Sequence, residues 1–169
     1  MTQSHFYYFA YGSNMSVKRI LHRLPNAKLI GPASLAEYDL RFHKTGDDDS
    51  AKCDAYFTGE THSIFGVLYQ LHQDEKQVLD QIEGVGKGYN VKTVNVTTAT
   101  QEMLSAFLYV ATEIDETKKP YDWYHNHVLT GALEHQLPHH YIEEKIRSVK
   151  SKPDKNATRE HIETNIYRS

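Results

Sequence analysis

The sequence predicts an α+β fold built on a curled or closed mixed sheet. Two observations carry this: six or seven stretches with strand character are interrupted by a few amphipathic segments, and the regular strand–helix alternation of a parallel α/β sheet is missing. A third sets the size. With 169 residues, 39% of them hydrophobic, the chain fits one domain over 1–169 with a normal core and leaves little room for a second.

Residues 5–11, HFYYFAY, are aromatic nearly throughout rather than alternating, as in a strand buried on both faces. Asn14 or Ser16 then caps a helix whose apolar stripe is Val17, Ile20, Leu21 and Leu24, stopped by Pro25 and Asn26. Short strands are expected at 28–30, 38–43, 54–58 and 64–71, separated by Gly-Pro, GDDDS and GETHS turn clusters. Asp74 caps the segment DEKQVLDQIEG, in which Val78, Leu79 and Ile82 face inward and Gly84 stands where a C-terminal cap belongs. That puts Glu83 at a helix end.

After GVGKG, strands are expected at 89–97 and 103–111. In the first, Tyr89 and Val91 share a parity that Val94 and Val96 do not, which implies a bulge near Thr93. In the second, Leu104, Ala106, Leu108 and Val110 share one face. Residues 121–133 and 141–149 read as helices, with Pro138 opening the second. From Lys150 the chain turns polar, so 150–169 is a C-terminal extension, either a surface helix or a loosely held tail.

Net charge is −3 with both signs scattered, and no basic stripe appears, so neither nucleic acid nor an anionic membrane is an expected partner. The apolar run at the start is too short for a membrane span or a signal-peptide core. The single Cys53 excludes an internal disulfide framework and a cysteine-rich zinc site, and fits a reducing compartment. Cytoplasm is the expected location. A small neutral or anionic ligand is left as the partner to look for, and the composition says nothing about oligomeric state.

Two stretches carry candidate chemistry. In FAYGSNM, glycine permits a tight turn between strand and helix, and successive backbone amides in such a turn can hold an anion, with Ser13 and Asn14 adding polar side chains. Taken alone, YGSN reads first as an ordinary turn with an Asn cap. In IEGVGKGY, Glu83 ends a helix and meets the negative end of its dipole, a setting suited to a group that takes and returns a proton. The same glutamate before a glycine turn is also common without any role. The three glycines follow a helix rather than opening one, so nucleotide binding is not expected.

Other patterns fall away. Neither His125-x-His127 nor HQLPHH gives zinc three converging ligands, and Asp47-Asp48-Asp49 lacks the alternating acids of a calcium loop, so no metal is expected. There is no nucleophile elbow, and Cys53 has no histidine partner pattern. Tyr121, Trp123 and Tyr124 at a helix start read as core packing, less firmly for Tyr124, whose hydroxyl can orient a ligand.

FAYGSNM, then IEGVGKGY, then WYHNHVLTGA, in that order and in a chain of this length, resemble the γ-glutamylcyclotransferase family, over about residues 6–141. The resemblance implies a small mixed β-barrel surrounded by helices, no cofactor, and release of 5-oxoproline from a small-molecule γ-glutamyl amine or γ-glutamyl amino acid. In that reaction the substrate's own α-amino group attacks its γ-carbonyl. The resemblance also implies that Tyr11, Gly12, Ser13 and Asn14 cradle the γ-glutamyl head, that Glu83 is the catalytic acid/base, and that Tyr124 sits in the pocket. Here Gly88 and Tyr89 are adjacent, where many relatives interpose one residue. The alternatives are a non-catalytic binding protein on the same barrel, or a hydrolase in which Glu83 activates water.

Overall fold

The computed structural model describes residues 4–168. In chain order the elements are β1 (His5–Ala10), a 3-10 turn (Ser13–Met15), α1 (Val17–Arg23), β2 (Lys28–Ala36), β3 (Tyr38–Thr45), β4 (Ala51–Phe57), β5 (Ser63–His72), α2 (Gln73–Glu83), β6 (Tyr89–Thr98), β7 (Met103–Ala111), α3 (Asp122–Glu134), α4 (His139–Tyr141) and α5 (Ala157–Asn165). A π-helical stretch, Ile142–Arg147, continues α4. Five strands close a barrel in the order β1-β5-β2-β6-β7, while β3 and β4 form a separate hairpin. The pairs are antiparallel except β1 with β7, which run parallel where Tyr8 faces Phe107. The sheet is therefore mixed and closed, as expected. Phe9, Ile64, Leu68, Leu71 and Leu108 are fully buried in its core, each such side chain contributing about 1.5–3 kcal/mol.

Several elements differ from the sequence reading, each for a local reason. β2 runs on through Gly31-Pro32 to Ala36 instead of turning there, because pairing with β5 continues past a bulge between Leu29 and Gly31. β6 pairs with β7 in unbroken register, so there is no bulge at Thr93. The parity change has another cause: Val94 and Val96 are buried on one face, while Tyr89 on the other is covered by the hairpin, its hydroxyl donating to the Cys53 carbonyl at 2.7 Å. β7 likewise buries both faces, with Phe107 and Tyr109 opposite Ala106 and Leu108.

In α1 the cap is Ser16, which accepts from the Arg19 N–H, and Arg19 rather than Leu21 joins Ile20 in the interior. In α2 the cap is His72 rather than Asp74, and only Leu79 is buried; Val78 and Ile82 are exposed. The extension does form a surface helix, α5, with Asn156 as its cap. Among the described residues no helix is long and apolar enough to cross a membrane.

Candidate active site

Two chain reversals bring the site together. β1 ends at Ala10, and Met15 and Ser16 then close hydrogen bonds onto the Gly12 and Ser13 carbonyls, which places the Gly12–Asn14 segment at the mouth of the following helices. Gly12 has φ −115°, so it is not left-handed as a tight turn would ask. Space is what demands glycine, since a Cβ there would stand 3.0 Å from the Cys53 Cβ. At the second reversal, α2 stops because Gly84 takes the left-handed conformation at φ 68°, and its N–H caps the Asp80 and Gln81 carbonyls. Tyr109 donates to Asp80 at 2.7 Å and ties this last turn to the barrel, so Glu83, three residues on, overhangs the Gly12–Asn14 segment.

A third element, α3, packs against the same segment at Gly131, where a Cβ would lie 2.6 Å from the Met15 side chain and the Ser16 nitrogen. Only glycine allows that approach, and it carries Tyr124, two turns earlier, to the cavity wall. The Tyr124 hydroxyl accepts from the Cys53 N–H at 2.9 Å.

Tyr11, Gly12, Ser13, Asn14, Glu83 and Tyr124 all line one cavity of about 430 Å³. Asn14 is its hub. Its buried amide nitrogen donates to Glu83 Oε1 and to the Tyr8 hydroxyl, both at 3.1 Å, and its Oδ1 accepts from Arg23 at 3.4 Å. Arg23 Nη1 stands 3.5 Å from the Glu83 carboxylate, whose side chain keeps 17% of its surface exposed. The Tyr11 hydroxyl donates to the Tyr109 carbonyl and is occupied there.

The tyrosines of this wall are held as neutral phenols. Burial, then the Glu83 charge, pushes Tyr8 well above its ordinary value. Burial does the same to Tyr11 and Tyr124, and pushes the Cys53 thiol up to about 12. A thiol at that level is no nucleophile near neutral pH.

Sequence reasoning did not single out Tyr8, Arg23, Lys44 or Lys52, which line the same cavity. Lys52 is ion-paired with Asp48 at 2.9 Å and lies 4.6 Å from the Tyr124 ring centre. A signal for Arg23 existed in the sequence, because it stands one turn after Arg19 on the face of α1 that carries Ile20 inward. The histidines serve elsewhere: His125 donates to the Ile146 carbonyl at 2.7 Å, and His127 sits between Tyr167 and Glu163. Among the described residues no cluster of three His, Cys, Asp or Glu is placed to hold a metal ion.

The class is that of a small closed mixed barrel with a glutamate facing a glycine loop across one cavity. Residues 63–144 match the model of the AIG2-like family. A Bos taurus protein named gamma-glutamylcyclotransferase is 31% identical over 164 residues, covering 94% of this chain and 86% of that one. Its Homo sapiens namesake is 30% identical over 163 residues with the same coverage. A solved structure titled gamma-glutamyl cyclotransferase superposes with a TM-score of 0.85 at 27% identity, covering 98% of this chain and 99% of its own. The chain belongs to the γ-glutamylcyclotransferase family. It is a cyclotransferase-like enzyme.

Proposed function

We propose that this protein releases 5-oxoproline from a γ-glutamyl amine or γ-glutamyl amino acid, with Glu83 as its proton carrier. The observation that carries the reading is the 3.1 Å contact between Asn14 and Glu83, which puts the carboxylate and the Gly12–Asn14 loop within reach of one small substrate.

An ammonium cannot attack a carbonyl. Glu83 takes one proton from the substrate's α-ammonium, the freed nitrogen lone pair adds to the γ-carbonyl carbon, and a tetrahedral centre forms. The C–N bond to the leaving group then breaks as Glu83 hands a proton to the departing nitrogen. Over the whole reaction the attacking nitrogen sheds two protons and the leaving nitrogen gains two, so Glu83 ends as it began.

The ring closure is intramolecular, so the protein's part is to fold the substrate back and to stabilise charge. In this reading the loop amides at Gly12 to Asn14 take the oxyanion or the α-carboxylate, and loss of one such donor typically costs about 3–4 kcal/mol of barrier. Tyr11 and Tyr124 shape the wall. Arg23, beside Glu83 and Asn14, offers a positive charge next to the substrate's head.

The test is incubation with a panel of γ-glutamyl amides, assayed for 5-oxoproline and for glutamate. 5-Oxoproline as the product, lost in Glu83→Gln, supports the proposal. Free glutamate would mean hydrolysis by an activated water. Thermal stabilisation by γ-glutamyl compounds without turnover would mean a binding protein.

A further inference from the structure

Among the described residues five tyrosines line the cavity, Tyr8, Tyr11, Tyr89, Tyr109 and Tyr124. Four of them spend their phenolic proton on the protein. Tyr11 donates to the Tyr109 carbonyl, Tyr89 to the Cys53 carbonyl at 2.7 Å, Tyr109 to Asp80 at 2.7 Å, and Tyr124 to the Cys53 sulfur. Tyr8 differs. Its hydroxyl oxygen accepts from Asn14 at 3.1 Å, yet among the described residues no acceptor takes its proton. A phenol donates one hydrogen bond while accepting another, so the donor of Tyr8 is open to a ligand oxygen.

Its place is fixed on several sides. The ring stacks on Phe107, centroids 5.2 Å apart, and meets the Tyr109 ring edge-on at 5.8 Å. The Asn14 nitrogen that holds the hydroxyl also donates to Glu83 Oε1 at 3.1 Å. Hydroxyl and carboxylate therefore stand no more than twice that distance apart, a separation that one tetrahedral carbon with its substituents can bridge.

We infer that the Tyr8 hydroxyl donates to the substrate's γ-carbonyl oxygen and stabilises the oxyanion that forms there. The inference deepens the function proposed above and rests on it. The attacking and the leaving nitrogen both exchange protons with Glu83, so the oxygen on the same carbon is turned away from that carboxylate and needs a donor of its own. Burial and the Glu83 charge keep Tyr8 a neutral phenol, so it donates without ionising. The loop amides at Gly12 to Asn14 and Arg23 are then left for the α-carboxylate.

Tyr8→Phe removes the hydroxyl and keeps the ring against Phe107. Its kcat for 5-oxoproline release falls by roughly 100- to 1,000-fold, as for loss of an oxyanion donor, with KM near the parent's. A second readout separates contact with the substrate from an effect passed through Asn14. 5-Oxoproline labelled with carbon-13 at its ring carbonyl is bound to each protein, and the carbonyl stretch is recorded by difference infrared spectroscopy. A donor on that oxygen lowers the frequency, so the band lies higher in Tyr8→Phe than in the wild type.

An unchanged kcat in Tyr8→Phe overturns the inference. So does a lowered kcat with the band unmoved, which would make Tyr8 a support for Asn14. A wild-type band at the frequency of 5-oxoproline in an aprotic solvent overturns it without any variant, and so independently of how Tyr8→Phe folds. These results leave the proposed function standing. No 5-oxoproline from any γ-glutamyl amide with the wild type overturns the proposed function, and the role of Tyr8 with it.

Discussion

Arg19 and Arg23 stand four residues apart on one face of α1, and each meets a glutamate from another helix. The two pairs are built differently. Arg19 meets Glu163 of α5 at 2.6 Å, with His127 donating to the same carboxylate at 2.9 Å and only 6% of the arginine side chain exposed. Burial opposes the charge on Glu163, but the His127 hydrogen bond, Arg19 and the His127 charge outweigh it and hold the carboxyl down to about 2. Arg23 meets Glu83 at 3.5 Å, beyond a good hydrogen bond, and Glu83 faces open cavity. One glutamate has its valences filled by protein. The other is left with room for a substrate, as the proton carrier proposed above requires.

Exchanging the two glutamates for glutamine breaks the comparison most strongly. Glu83→Gln lowers kcat for 5-oxoproline release by roughly 100- to 10,000-fold, the range for loss of a general acid/base, with the thermal midpoint close to the parent's. Glu163→Gln does the reverse. It leaves Arg19 buried beside a neutral group and costs about 2 kcal/mol in urea unfolding, a value below that of a fully buried pair because Glu163 keeps 20% exposure. Equal stability losses in the two variants would erase the distinction.

Acid sharpens it further. Because the folded-state value of Glu163 lies below its usual 4.5, its contribution is full above that pH and drains away as pH falls toward about 2. Burial also lowers His127 below 6.5, so the folded state binds fewer protons there and loses stability as pH drops under that value. Wild-type stability therefore falls steadily on acidification, and Glu163→Gln loses less between pH 4.5 and 2. The smallest effect is expected at the loop: Gly12→Ala, pressing on Cys53, costs about 1–2 kcal/mol of stability, read by urea unfolding.

The parts of this arrangement that sequence revealed are those with backbone signatures. Gly84 announces a left-handed helix end and so locates Glu83, and the Gly12–Asn14 turn announces a strand end. Cross-chain contacts leave no such mark. Arg23 carries at most its spacing from Arg19 and Lys44 carries no signal at all, and only closure of the cavity makes them neighbours of Glu83 and Tyr89. Tyr8 looked like one more aromatic in a buried strand until Asn14 donated to it. Local turn chemistry failed at Gly31-Pro32, where pairing with β5 prevailed, and helix periodicity misplaced Val78 and Ile82 because α2 rests on the barrel through Lys76, Leu79 and Asp80 instead.

In the proposed function Glu83 and the Gly12–Asn14 loop grip one γ-glutamyl head, and a crystal structure with 5-oxoproline bound tests that most directly. The expected complex has the lactam N–H within hydrogen-bond reach of the Glu83 carboxylate, about 2.6–3.2 Å, and the ligand's carbonyl or carboxylate against the loop amides. 5-Oxoproline seated outside this cavity, or more than about 8 Å from Glu83 and so beyond any hydrogen bond, would contradict it.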